Sequence, residues 1–297
     1  MLLGVAVVWG SSYLAAKVVA ADVGVLPLLA LRYGGAVLAL AGLVGLARAR
    51  GRRLVGRTEL RLGLVLGLSQ AAVLALETFG VAGTSATNAG LLIATTILLT
   101  PVVDGVASRR FLPPAFFGAC LVALVGVGLL VSGGGFRTPA RGDLLVLAAA
   151  VVRAGHVTAL GRLTRDRPVD LVGLTFVQAA VGTVLFTAAD PLGLARAVAG
   201  AGPAQWAGIA YLALACSVFA FLAQTWAVHR TSASRASLLL GTEPLWAVVV
   251  GVALAGEVLG AAGAAGAVLL LLGTTAGQRV EADTRSRADP APVRIVV

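Results

Sequence analysis

Seven ionisable side chains lie inside long apolar stretches of this sequence: Lys17, Arg32, Glu77, Asp104, Arg153, His156 and Glu243. At the centre of a hydrocarbon layer each costs about 2.5 kcal/mol or more unless paired or hydrated, so each marks a candidate site. Glu243 lies near the middle of its apolar run and is followed by Pro244. Proline removes a backbone donor and crowds the preceding turn, so helix breaks are expected at Pro244 and at Pro101. The carbonyls freed there need protein or water around them. Two chemistries fit Glu243. It forms an ion pair with Arg153, which lies at similar depth, or it takes up and releases a proton as a carrier.

The remaining candidates are read by spacing. His156 follows Arg153 by three residues and shares its helix face, either as a functional group or as a satisfied polar one. Trp9, Tyr13 and Lys17 recur at helical spacing around Ser11 and Ser12, a stripe that lines a cavity or packs. Lys17, Arg32 and Glu77 sit toward one end of their runs and form a gate or an ion cluster, unless Lys17 and Arg32 snorkel. Asp104 is expected to pair with Arg109 and Arg110 at surface level. Gln70, Asn88, Gln178 and Gln224 add uncharged polarity at depth.

Cys120 and Cys216 fall inside apolar runs with no CxxC spacing, so they read as buried thiols, with no disulfide framework and no metal site. With two His, no HExxH, no phosphate-cradling Gly-rich loop and no nucleophile elbow, there is no catalytic constellation, and neither an enzyme nor a cofactor is expected.

The elements that hold these residues follow from composition. Of 297 residues, 59% are hydrophobic and only 12% charged, with a mean hydropathy of +0.96. That lies far outside the range of soluble domains, so the surrounding solvent is lipid. The 22 Arg and single Lys against 13 acids give a net charge of +10. The Arg residues are spread between apolar runs, which argues against nucleic acid as a partner.

Spans of roughly 20 apolar residues are required to cross a bilayer. Ten runs fit: 1–20, 27–47, 60–79, 84–106, 112–132, 143–160, 169–189, 206–228, 232–255 and 258–277. The fold class is therefore all-α, a polytopic membrane protein of ten transmembrane helices. The tail 278–297 is polar and expected to be disordered. No basic region precedes the first run, so no cleaved signal peptide is expected. With the N-terminus inside, inner connections carry 17 Arg and outer ones three, which places both termini in the cytoplasm.

The chain also repeats itself. TSATNAGLLIAT at 84–95 and TSASRASLLLGT at 231–242 agree at seven of twelve positions, at an offset of 147. Two units of five spans each insert with opposite topology, an arrangement associated with secondary transporters and a midplane site. WGSSYLAAK at 9–17, PLLALR at 27–32, the two Thr-Ser-Ala segments running on to Glu243-Pro244, Gly256-Glu257, Gly266 and Gly273 together resemble the EamA-type drug/metabolite transporters.

That resemblance covers nearly the whole chain and implies two inverted five-helix repeats, 1–132 and 143–277. It further implies alternating access through a central cavity for a small metabolite, amino acid or drug-like molecule, usually outward across the plasma (inner) membrane. Protons are the candidate coupling ion. The sequence departs from strict symmetry: Pro101 lies four residues beyond the position that Pro244 predicts, Thr96 faces Glu243, and Arg110 faces Glu257. A passive channel would need a continuous polar lining, and a non-transporting membrane partner or sensor would favour a large soluble domain; neither feature is present in the sequence.

Overall fold

The computed structural model describes residues 1–84, 89, 92–131, 141–165, 167–246, 249 and 260–288. Among them the protein is all-helical, with no strand. The helices are α1 (Leu2–Val23), α2 (Val25–Ala49), α3 (Arg57–Ala82), α4 (Thr96–Ser108), α5 (Pro114–Val131), α6 (Arg141–Thr164) and α7 (Leu171–Ala189). They continue as α8 (Pro191–Gly200), α9 (Pro203–Arg230), α10 (Ala233–Leu240) and α11 (Ala261–Ala288).

Six of these helices (α2, α3, α6, α7, α9 and α11) are long and apolar enough to cross a membrane. A seventh, α1, qualifies as a bent span, turning by 43° between Ser12 and Ala15. The protein is a multi-pass membrane protein. Its outer surface fits that solvent: Leu38, Leu144, Val184 and Leu192 are exposed, which water would penalise and lipid does not.

Local sequence explains the ends of these helices. Gly24, at φ 87°, joins α1 to α2 in a single left-handed step that a side chain would strain. Asp170 caps α7 by accepting from the backbone of Val172 and Gly173, and Ser232 caps α10 by accepting from Arg235 N. Glu59 accepts from Gly56 N at 2.8 Å and from Asp170 N at 3.0 Å, tying the start of α3 to the start of α7.

One element is added and one expectation is corrected. The segment 190–205, which falls between the apolar runs 169–189 and 206–228, contains α8. Asp190 caps it and Pro191 opens it, and ten residues are too few to register as a span. The tail expected to be disordered from 278 remains helical as far as Ala288. Glu281 is buried there and accepts a hydrogen bond from Ser232 at 2.8 Å, which docks the extension on α10.

The apolar core has two main parts. The larger gathers α1, α2, α3, α6, α7, α9 and α10; the second joins α4, α5, α10 and α11 around Phe116, Cys120, Val127, Leu238 and Leu270. Small residues permit close approach, as is usual between membrane helices. Gly63 and Gly67 of α3, the GLVLG spacing, lie against Val177 and Val181 of α7, leaving no room for a Cβ.

The sequence repeat reappears as repeated geometry. At the offset of 147, Gly126, Ala119 and Ala123 correspond to Gly273, Gly266 and Leu270. Gly126 abuts the backbone of Gly266 and Leu270, and Gly273 abuts the backbone of Ala119 and Ala123. Helices α5 and α11 therefore cross antiparallel with each contact reproduced by its repeat mate.

A second correspondence lies at Thr95 and Thr242. Thr95 Oγ1 donates to Leu92 O at 2.5 Å, and Thr242 Oγ1 donates to Leu239 O at 2.7 Å. Both residues are turns, and each backbone carbonyl accepts from the nitrogen three residues on at 3.0 Å (Leu98 and Leu245). The break expected at Pro101 is not there: Pro101 lies inside α4, and the interruption is at Thr95. In the second repeat the turn is Gly241–Thr242, immediately before Glu243 and Pro244. A threonine hydroxyl competing for the local carbonyls sets both turns.

Candidate functional site

Arg153 projects from the middle of α6 between two carboxylates. Its Nη2 lies 3.6 Å from Glu77 Oε2 of α3, and its Nη1 lies 3.6 Å from Glu243 Oε1 beyond the α10 turn. The guanidinium also stands over the Trp9 ring of α1, with Cζ 5.0 Å from the centroid. Glu243 is almost wholly enclosed, at 2% side-chain exposure, while Glu77 and Arg153 retain 13% and 12%. Two acids sharing one cation at depth form a cluster that tolerates a proton on one carboxyl without stranding the arginine.

The second set surrounds Arg32 of α2. Its Nε donates to Ser217 Oγ at 2.8 Å and its Nη2 to Cys216 O at 3.3 Å. Trp9 Nε1 donates to the same Cys216 carbonyl at 2.9 Å. That carbonyl is available because Leu214–Phe219 of α9 is wound as a π-helix, a form that misaligns the helical ladder and recurs at functional sites. Arg32 is buried, so the snorkelling expected for it does not occur; neutral acceptors inside the bundle hold it instead. Tyr211 of α9 joins the network through Ser11, 2.6 Å between hydroxyl oxygens, and Val8 O at 3.1 Å.

A cavity of about 240 Å³ opens beside these groups. Ser12, Lys17, Arg32, Glu77 and Thr78 supply its polar wall, and Ala16, Ala20, Leu74 and Val81 are among its apolar lining. Lys17, Arg32 and Glu77, grouped by position along their runs, thus face one space. A wider vestibule of about 550 Å³ borders it at Val25 and carries Asp22, Asp190, Arg196 and Gln205, with Gln205 Nε2 donating to Asp22 at 2.8 Å.

Other candidates fall elsewhere. His156 is buried with Nδ1 2.8 Å from Ser69 Oγ, joining α6 to α3. Gln70, Gln178 and Gln224 are buried but do not line the cavity. Asn88 and the side chain of Tyr13 lie outside the described residues. Among the described residues no ion pair joins Asp104 to Arg109 or Arg110, which corrects that expectation. Arg109 closes α4 in a left-handed conformation, and Asp104 offers its carbonyl to Ser108.

Sequence reasoning brought Glu243 and Arg153 together but assigned Glu77 to an outer group alone. It also passed over Ser217 and Tyr211, and it read Cys216 only as a buried thiol. Ser217, one hydroxyl within LACSVF, was the sole visible signal of that contact.

A family model for EamA-like transporters matches residues 1–132 and again residues 140–276. The chain belongs to the EamA-like transporter family. Its members are membrane transporters of the drug/metabolite superfamily. A protein of known crystal structure shares the fold, with a TM-score of 0.72 at 20% identity, over 96% of this chain and 98% of that one. No curated protein matches the sequence.

Proposed function

We propose that this EamA-like protein is a secondary transporter that exports a small metabolite, amino acid or drug-like solute across the plasma membrane by alternating access. Its ten spans form two inverted five-helix repeats, with both termini cytoplasmic. The observation that carries the reading is Arg153, held between Glu77 at the cavity wall and Glu243 behind it, with Glu243 placed directly after a helix turn. A shift of the α10 turn relative to α6 exchanges the partners of Arg153, coupling cavity access to the charge state of Glu243. Protonating Glu243 frees that ion pair while Glu77 retains Arg153, which makes the proton the natural coupling ion.

Counterflow in proteoliposomes tests this. A labelled pool of small metabolites inside the vesicles should exchange against external solute with a rate that depends on pH. Glu243→Gln is expected to insert normally and to lose the pH dependence. Equal, pH-dependent flux in wild type and variant would remove Glu243 from the coupling step.

A further inference from the structure

Within the cavity of about 240 Å³ the charges do not balance. Lys17 and Arg32 line it together with one acid, Glu77, and Glu77 is already engaged by Arg153. Arg153 and Glu243 behind it add one charge of each sign, so Lys17, Arg32 and Arg153 stand against Glu77 and Glu243 with one positive charge in excess. Among the described residues no carboxylate lies within ion-pair distance of Lys17 or Arg32.

Arg32 is the telling member. It is 6% exposed, and its hydrogen bonds go to a hydroxyl and a backbone carbonyl, which are neutral. A guanidinium at that depth without a counter-charge is expensive, and five donors in a planar fork leave capacity beyond the two bonds made. The rest of the lining is largely aliphatic, with Ala16 and Ala20 beside Lys17 on α1 and Leu74 and Val81 beside Glu77 on α3. The volume falls below the roughly 300–1,000 Å³ of drug-sized sites, so the occupant is small.

Resting on the reading of this cavity as the transport site, we infer that it takes a small organic anion. A carboxylate or sulfonate lies against Arg32 and Lys17, and an aliphatic body lies along the Ala-Leu-Val wall. An ammonium group finds one acid in the lining, Glu77, and must compete with Arg153 for it, so the cavity favours an anion over cations and zwitterions of the same shape.

Four solutes with one isopentyl body test the inference: 3-methylbutane-1-sulfonate, isopentyltrimethylammonium, leucine and 3-methylbutan-1-ol. The sulfonate keeps its charge at any working pH and does not leak across the bilayer as a neutral acid. Binding is measured by calorimetry on the protein in nanodiscs, and counterflow in proteoliposomes. The sulfonate should bind saturably and more tightly than the other three. Lys17→Gln, at an exposed position that leaves the fold intact, should weaken it severalfold, and Arg32→Gln by about tenfold or more, with Arg32→Lys retaining most of the affinity.

Leucine or the ammonium binding as tightly as the sulfonate overturns the inference, as does sulfonate affinity indifferent to both substitutions. Counterflow of leucine or the ammonium without the sulfonate leaves the transporter reading standing and removes this one. Sulfonate binding with no counterflow of any of the four supports the anion site and removes the transporter reading. Neither binding nor counterflow of any solute removes both.

Discussion

Arg153 sits between two carboxylates of unequal burial, and the asymmetry decides what each substitution costs. Glu243 has almost no access to water, so a charge on it depends on partners within the protein, Arg153 among them. Glu77 faces the cavity and has water as an alternative partner. Arg153→Gln removes the shared cation and leaves two acids buried together, a loss on the order of 3–5 kcal/mol of stability. Glu243→Gln removes one acid and leaves Arg153 its bond to Glu77, which should cost less. The double change Arg153→Gln with Glu243→Gln should therefore be more stable than Arg153→Gln alone, as read from thermal unfolding of the purified protein in detergent. A double variant no better than Arg153→Gln would show that Glu243 is not held by this pair. The pair was legible in the sequence because both charges sit near the middle of their spans. Glu77 was not, since its approach to Arg153 depends on how α3 and α6 are rotated against each other, which no spacing within one helix encodes. The π-helical turn at Leu214–Phe219 was equally hidden, since nothing in LACSVF itself marks it and the Cys216 carbonyl it frees is taken up by Trp9 and Arg32 from two other helices.

Helices α5 and α11 meet through glycines, and a membrane supplies no hydrophobic force to reunite them once wedged apart. Gly126 and Gly273 each leave no space for a Cβ, whereas Gly118, on the same helix as Gly126, has open space beside it. Gly126→Val and Gly273→Val should each lower the unfolding midpoint by the equivalent of about 1–3 kcal/mol or more, and by similar amounts, because their contacts are repeat mates. Gly118→Val should leave it unchanged. A strong loss from Gly126→Val with none from Gly273→Val would break the correspondence. At this scale apolar run length located most of the long helices, since a bilayer fixes how long a span has to be. It could not show α8, whose ten residues carry only the Asp190-Pro191 start signal, nor the charged end of α11, which is helical because Glu281 reaches Ser232. Proline was a poor guide to the first repeat's interruption. The turn follows Thr95 and its hydroxyl, a residue type common enough in membrane helices to give no warning by itself.

The antiparallel crossing of α5 and α11 bears on how the whole chain sits in a bilayer. These helices end the two repeats, and the contacts of Gly126 and Gly273 correspond at the offset of 147. On the proposed reading, two equivalent helices that run in opposite directions belong to repeats of opposite orientation with an odd number of spans in each. The arginine distribution, read with no structure, gives the same answer: 17 on one side against three on the other, a bias that survives only if no span is missed. Together they predict that a reporter fused after Ala288, beyond the helical extension, remains cytoplasmic. A reporter inserted at Gly134, between the repeats, should appear on the outer face. Both reporters on one side would mean an even number of spans between them, and the two repeats would then share one orientation. The antiparallel glycine contacts could not form in that arrangement, so the measurement tests the packing of α5 on α11 as directly as it tests the topology.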